Sequence, residues 1–152
     1  MSEQINQIQK LFKVDLSSIP NSEFYEQGEP IFVDGNEVRT YSKMFIEEDD
    51  FEFGLFDCID VKTFKGLPNK NIIFTNEPIV FGDFEFQRIE KLINNLYQIY
   101  GNDNLGNGKY SSDDKDAIEF GYLSRHWSEN KNPAMLSFDE EEGLSFAIWI
   151  TE

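Results

Sequence analysis

The sequence predicts an α+β fold, an antiparallel sheet with one long helix packed on a face and a short N-terminal helix. Three observations carry that expectation. Residues 83–101 repeat apolar side chains at helical spacing, most other apolar residues alternate as strands do, and the segments follow the order helix, strands, helix, strands. No repeat, low-complexity tract or linker interrupts the chain, so residues 1–152 read as a single α+β domain.

The first element is a short amphipathic helix over residues 2–13, with Ile5, Ile8 and Phe12 on one side and Lys10 and Lys13 near its end, where cations suit the helix dipole. Val38, Thr40, Ser42, Met44 and Ile46 alternate with Arg39, Tyr41, Lys43 and Phe45, the two-residue period of a half-buried strand. A second alternating series, Phe51, Phe53, Leu55, Ile59 and Val61, is interrupted at Asp57; the polar run between the two makes a hairpin. Residues 72–74 add a short strand bounded by Pro68 and Pro78. In the long helix, Phe86, Ile89, Leu92, Ile93, Leu96 and Tyr100 form the apolar stripe, Asp83 is placed as its N-cap and Gly101 as its terminator. A polar loop follows, then one or two helical turns within 113–120 and a strand over 122–127. Residues 135–138 and 144–150 form a final hairpin, with Gly143 suited to a positive φ in its turn.

Composition narrows the function classes. The chain holds 29 Asp+Glu against 13 Lys+Arg, a net charge of -16, together with 15 Phe, 6 Tyr and 2 Trp. An acidic disordered tail lacks such aromatics, whereas 39% hydrophobic residues support a packed core. Phosphate binding needs a cationic footprint, so nucleic acid is not an expected partner. No apolar run is long enough to span a bilayer, and the first ten residues lack the apolar segment of a secretory signal. One cysteine, Cys58, excludes an intramolecular disulfide; a cytoplasmic location is expected.

No catalytic set emerges. His126 is the only histidine and reads as a surface or half-buried residue, and Cys58 has no cysteine partner for zinc and is flanked by Asp57 and Asp60, which oppose a thiolate. No cofactor or metal is expected. Asp57 keeps two readings: turned outward by a bulge, or a buried acid with a raised pKa that serves a small enzyme or ligand pocket. The loop 103–114 has oxygen-bearing side chains at some positions of a calcium loop, so a calcium-responsive module is a further alternative, but Leu105 sits where a ligand is needed and Asp114 replaces the long bidentate Glu.

The charge itself is informative. Residues 1–76 carry -7 and residues 77–152 carry -9, so the excess is no tail. Half of it lies in two runs of four acids: Glu47, Glu48, Asp49 and Asp50, and Asp139, Glu140, Glu141 and Glu142. Both occupy expected hairpin turns. If the tips share one end of the sheet, they attract a cationic protein, and aromatic contacts hold it. Tyr122 and Trp127 are the candidate anchors, with Tyr110 and Trp149 weighed beside them; core packing is the competing role for each, most of all for Trp149 in the apolar final strand.

Taken with the stretches 93–108, 118–127 and 136–149, this acidic α+β chain resembles the immunity proteins of bacterial interbacterial toxin systems, many of which neutralise a basic toxin domain. The resemblance implies a non-enzymatic, bacterial, cytoplasmic inhibitor with a basic protein partner. It assigns no site residue.

Overall fold

The computed structural model describes residues 2–45, 54–77 and 79–151. Among the described residues, three α-helices and eight strands make up the fold, the strands forming one antiparallel sheet. Helix α1 (Glu3–Phe12) opens the chain, with Ser2 capping it by accepting from the Ile5 N–H at 3.2 Å. The strands β1 (Tyr25–Glu26), β2 (Ile31–Val33), β3 (Asn36–Met44), β4 (Cys58–Phe64) and β5 (Lys70–Asn76) follow. Helices α2 (Asp83–Tyr100) and α3 (Ser112–Phe120) come next, then β6 (Tyr122–Trp127), β7 (Ala134–Asp139) and β8 (Gly143–Ile150).

The strand order is β1-β3-β4-β5-β8-β7-β6, with β2 also paired to β3. Every pairing is antiparallel. The register explains which side chains are buried. Ile59, Phe74, Phe146 and Leu136 form one row across four strands, and Val61, Ile72, Ile148 and Ala134 form the next. Side chains alternate between faces along a strand, so both rows lie on the same side of the sheet. All three helices bury residues against that side: Ile5, Ile8 and Phe12 from α1, Ile89, Leu92, Ile93 and Leu96 from α2, and Ile118 from α3. Phe12 stacks on Phe74 and Phe146, with ring centroids 4.4 and 5.4 Å away. The opposite face presents Ser42, Asp60, Ile73, Ala147, Met135 and His126 in one row.

The α+β class, the helix-covered antiparallel sheet and the two flanking hairpins agree with the sequence expectation. The differences are local. Gly82, not Asp83, is the N-cap of α2; its N–H is held by Glu85 Oε1 at 2.9 Å, leaving Asp83 inside the first turn where its charge suits the dipole. Phe51 and Phe53 of the second alternating series lie outside the described residues; from Gly54 onward the series becomes regular at Cys58, because Leu55 and Phe56 are both buried and break the two-residue period. β1 and β2 lie outside the expectation. Among the described residues, no helix is long and apolar enough to cross a membrane.

Candidate partner-binding surface

The site is built where β7 turns into β8. Gly143 has φ +83° and lies hard against the end of β5: a Cβ there would sit 2.2 Å from the Asn76 carbonyl oxygen and 2.5 Å from Glu77 Cα. Only glycine lets the two backbones approach so closely. Asp139 then folds the turn, its Oδ1 accepting the N–H groups of Glu141 at 2.7 Å and Glu142 at 3.1 Å. Glu140 lies over Gly121, the residue that ends α3.

The turn thereby separates two cavities on opposite faces of one sheet end. On the open face, Thr75, Ser137 and Ser145 floor a cavity of about 620 Å³, walled by Tyr122 and rimmed by Glu77, Asp139, Glu141 and Glu142. The two serine hydroxyls meet at 2.8 Å. On the helix-covered face, Ile79, Val80, Phe81, Phe86, Ile118 and Phe138 line a cavity of about 480 Å³, with Glu119 and Glu140 beside it. Phe81 packs edge-on to Phe138 at 4.9 Å. Phe138 belongs to both cavities, so an acidic recess and an apolar one share a wall. Close by in the chain, Phe120 is 92% and Tyr122 61% exposed.

Of the two expected acidic tips, one is therefore observed. The other, Glu47, Glu48, Asp49 and Asp50, lies outside the described residues. The flanking register does show where its connection begins and ends. Met44 pairs with Cys58, Cys58 with Thr75, Thr75 with Ser145 and Ser145 with Ser137, so the β3–β4 connection leaves the sheet at the same end as the 139–143 turn.

The aromatic candidates divide. Tyr122 stands exposed in the wall of the acidic cavity. Trp127 is corrected: it is 1% exposed, stacked on Tyr100 at 5.6 Å, and its Nε1–H donates to the Gly101 carbonyl at 3.2 Å, so it is part of the core and offers no surface anchor. Trp149 is corrected in the other direction, because its register places it on the open face, 5.8 Å from the Phe64 ring. Tyr110 is half-buried against the core, its hydroxyl pushed up by burial and then by Glu90 and neighbouring carboxylates.

The chemistry-bearing alternatives find other roles. Asp103 and Asp114, the first and last residues of the loop weighed for calcium, both face Arg125. Its guanidinium donates to Asp114 through Nε at 3.0 Å and Nη2 at 2.7 Å, and to the Gly108 carbonyl at 2.7 Å, with Asp103 Oδ2 at 3.9 Å. Asp103 also receives the N–H groups of Leu105 and Asn107, each at 2.9 Å. The loop is thus wound around an internal cation. Among the described residues no group of three or more His, Cys, Asp or Glu side chains could hold a metal ion.

Asp57 is half-buried at the entry to β4, its carboxyl raised by partial burial and, more weakly, by the charge of Glu77. It lines neither cavity. Cys58 lies half-buried on the open face rather than in the core, and burial, then the charge of Asp60, push its thiol up to about 11. His126 is exposed, with Nε2 2.8 Å from Ser124 Oγ.

Sequence reasoning missed the apolar cavity. Its signal was Ile79-Val80-Phe81, three apolar residues with no strand alternation just before α2. No protein-family model, curated protein or solved structure matches the chain.

Proposed function

We propose that this protein is a non-enzymatic binding protein that engages and blocks a cationic protein partner, an immunity-type inhibitor of a bacterial toxin acting in the cytoplasm. One observation carries the reading: the 139–143 turn sets an acid-rimmed recess beside an apolar one, with Phe138 shared between them. A lysine or arginine of the partner enters the first, where Glu141 and Glu142 attract it and the serine hydroxyls accept its hydrogen bonds. An adjoining apolar side chain enters the second. The long-range attraction speeds encounter, and the apolar contact slows release. The net charge of -16 favours a basic protein over nucleic acid, and the single cysteine accords with a reducing compartment.

The test compares wild type with the charge-reversed Glu141→Lys/Glu142→Lys protein as bait in source lysate at low salt. A basic protein held by the first and lost by the second is then produced alone, and its association rate and activity are measured with each. The reading expects the wild type to abolish the partner's activity at equal stoichiometry and the variant to associate at least about tenfold more slowly, with a shallower salt dependence. A partner bound and inhibited equally by both proteins refutes it.

A further inference from the structure

β1 and β2 follow one another along the same side of β3, whose other side is taken by β4, so together they form the outer edge of the sheet. β2 is joined to β3 by Asp34 and Gly35, with φ of +50° and +82°. Two consecutive positive φ values define the two-residue hairpin turn of type I′. In such a hairpin the residues flanking the turn, Val33 and Asn36, exchange both backbone hydrogen bonds, and the next pair, Phe32 and Glu37, exchanges none. The Glu37 carbonyl accordingly accepts from Lys65 N–H at 2.9 Å, on the far side of β3. The N–H and C=O of Phe32 therefore point away from β3, and among the described residues no strand pairs with that edge. Phe32 is 73% exposed, with Ile31 and Val33 exposed on either side. Native edges are commonly blunted by lysine, proline or a bulge within the strand. β2 has none of these within its three residues, although Pro30 directly precedes it and offers no N–H, so Phe32 carries the outward donor; the exposed carboxylates of Glu29 and Asp34 stand near its two ends.

We propose that β2 is a docking edge that takes an extended segment of another protein as an added antiparallel strand, apolar at its centre and cationic on both flanks. Phe32 supplies the backbone donor and acceptor, Ile31 and Val33 the apolar neighbours, and Glu29 and Asp34 select the flanking charges. A second copy is the wrong occupant. Antiparallel pairing of β2 with itself about Phe32 sets Ile31 opposite Val33 and brings Glu29 of one chain toward Asp34 of the other, with a net charge of -16 on each. The surface lies at the opposite end of β3 from the acidic turn, since β3 runs from Asn36 beside β2 to Met44, so it stands independently of the proposed toxin-binding surface.

The probe is an end-capped Lys-Lys-Val-Ile-Val-Lys-Lys peptide titrated into the isotope-labelled full chain. Amide shifts confined to residues 29–34, slowed hydrogen exchange at Phe32, and affinity that falls with added salt are the expected result. Phe32→Pro removes the outward N–H without removing a bond to β3 and should weaken binding at least about tenfold while far-UV circular dichroism stays the same. Methylating the peptide's central isoleucine nitrogen should abolish binding with the protein unaltered. Equal binding by Phe32→Pro or by the methylated peptide overturns the proposal, as do shifts mapping to the 139–143 turn, absence of binding at about millimolar peptide, or dimerisation of the chain through β2.

Discussion

Arg125 occupies a core-facing position of β6, opposite Leu136, where an apolar residue would ordinarily sit. It is 3% exposed, and its carboxylate partners Asp114 and Asp103 are 7% and 6% exposed. Replacing it with methionine keeps the apolar stem and removes the guanidinium. Three polar groups then lose their cation or donor: the bidentate Asp114, the Gly108 carbonyl and the nearby Asp103. Breaking a buried ion pair from one side costs about 3–5 kcal/mol, because the remaining charge stays desolvated. The unpaired carbonyl costs about 1–3 kcal/mol by itself, but the same relaxation relieves both, so Arg125→Met should lose about 3–5 kcal/mol in total. At about 2–4 °C per kcal/mol for a domain of this size, the melting point should drop by roughly 6–20 °C. Urea unfolding followed by tryptophan fluorescence measures it, since Trp127 lies two residues away in the core. The decisive comparison is the double variant Arg125→Met/Asp114→Asn, which removes one orphaned charge and should regain at least about 1 kcal/mol over Arg125→Met. A loss below about 1 kcal/mol in the single variant, or strict additivity in the pair, refutes an internal cation as the organiser of the loop.

Gly143→Ala combines a positive φ with a backbone clash on Asn76, so it should destabilise by at least about 3 kcal/mol in the same assay; retention of wild-type stability would show that the β5–β8 approach can relax. The Tyr100 hydroxyl is buried with no hydrogen-bond partner among the described residues, so Tyr100→Phe should leave stability unchanged or raise it by up to about 3 kcal/mol, whereas a loss above about 1 kcal/mol would reveal a bonded hydroxyl. The Cys58 thiol holds its proton to about 11 in the folded chain, so at pH 8 iodoacetamide should modify it much more slowly than a free cysteine. An unfolded cysteine ionises near about 8.5, so between there and about 11 the folded state binds more protons and Cys58 makes stability fall as pH rises; Cys58→Ser should flatten that slope. Asp57 has the same sign at acid pH: its raised carboxyl pKa means stability declines as pH rises from about 3.9 through the folded-state value, and Asp57→Asn should melt higher than wild type at pH 7 but not at pH 3.

What the sequence made legible follows burial. The α2 stripe and the strands β3 to β8 bury one side, and burial imposes the period that can be read; β2 buries nothing, as all three of its side chains are exposed, so it leaves no period. Its local signal was the Asp34-Gly35 dipeptide, which favours a two-residue hairpin turn without any core contact. The two tryptophans show a second limit of pattern reading. Trp127 closes β6 and Trp149 lies one residue before the end of β8, yet a shift of one residue exchanges faces, and the pairing with Ala134 and Asn71 decides that the first points to the core and the second away from it. Arg125 was opaque for the same reason: its parity places it inside, and its partners come from a loop and a helix distant in sequence.

The acid surplus is likewise heterogeneous once folded. Asp103 and Asp114 neutralise Arg125, Asp139 fastens its own turn, Glu26 and Glu37 meet Arg39, and Asp60 bonds Ser42. These carboxylates serve the fold, and reversing any of them would confound stability with recognition. Glu141 and Glu142 differ: they rim the recess, and among the described residues their part in the turn is through backbone N–H groups, bonds that a lysine side chain leaves in place. Reversal of that pair therefore separates the two roles that net charge conflates. A binding defect in Glu141→Lys/Glu142→Lys with unchanged melting would place recognition at the tip. A binding defect that appeared only alongside lost stability would instead assign the acids of this turn to the fold.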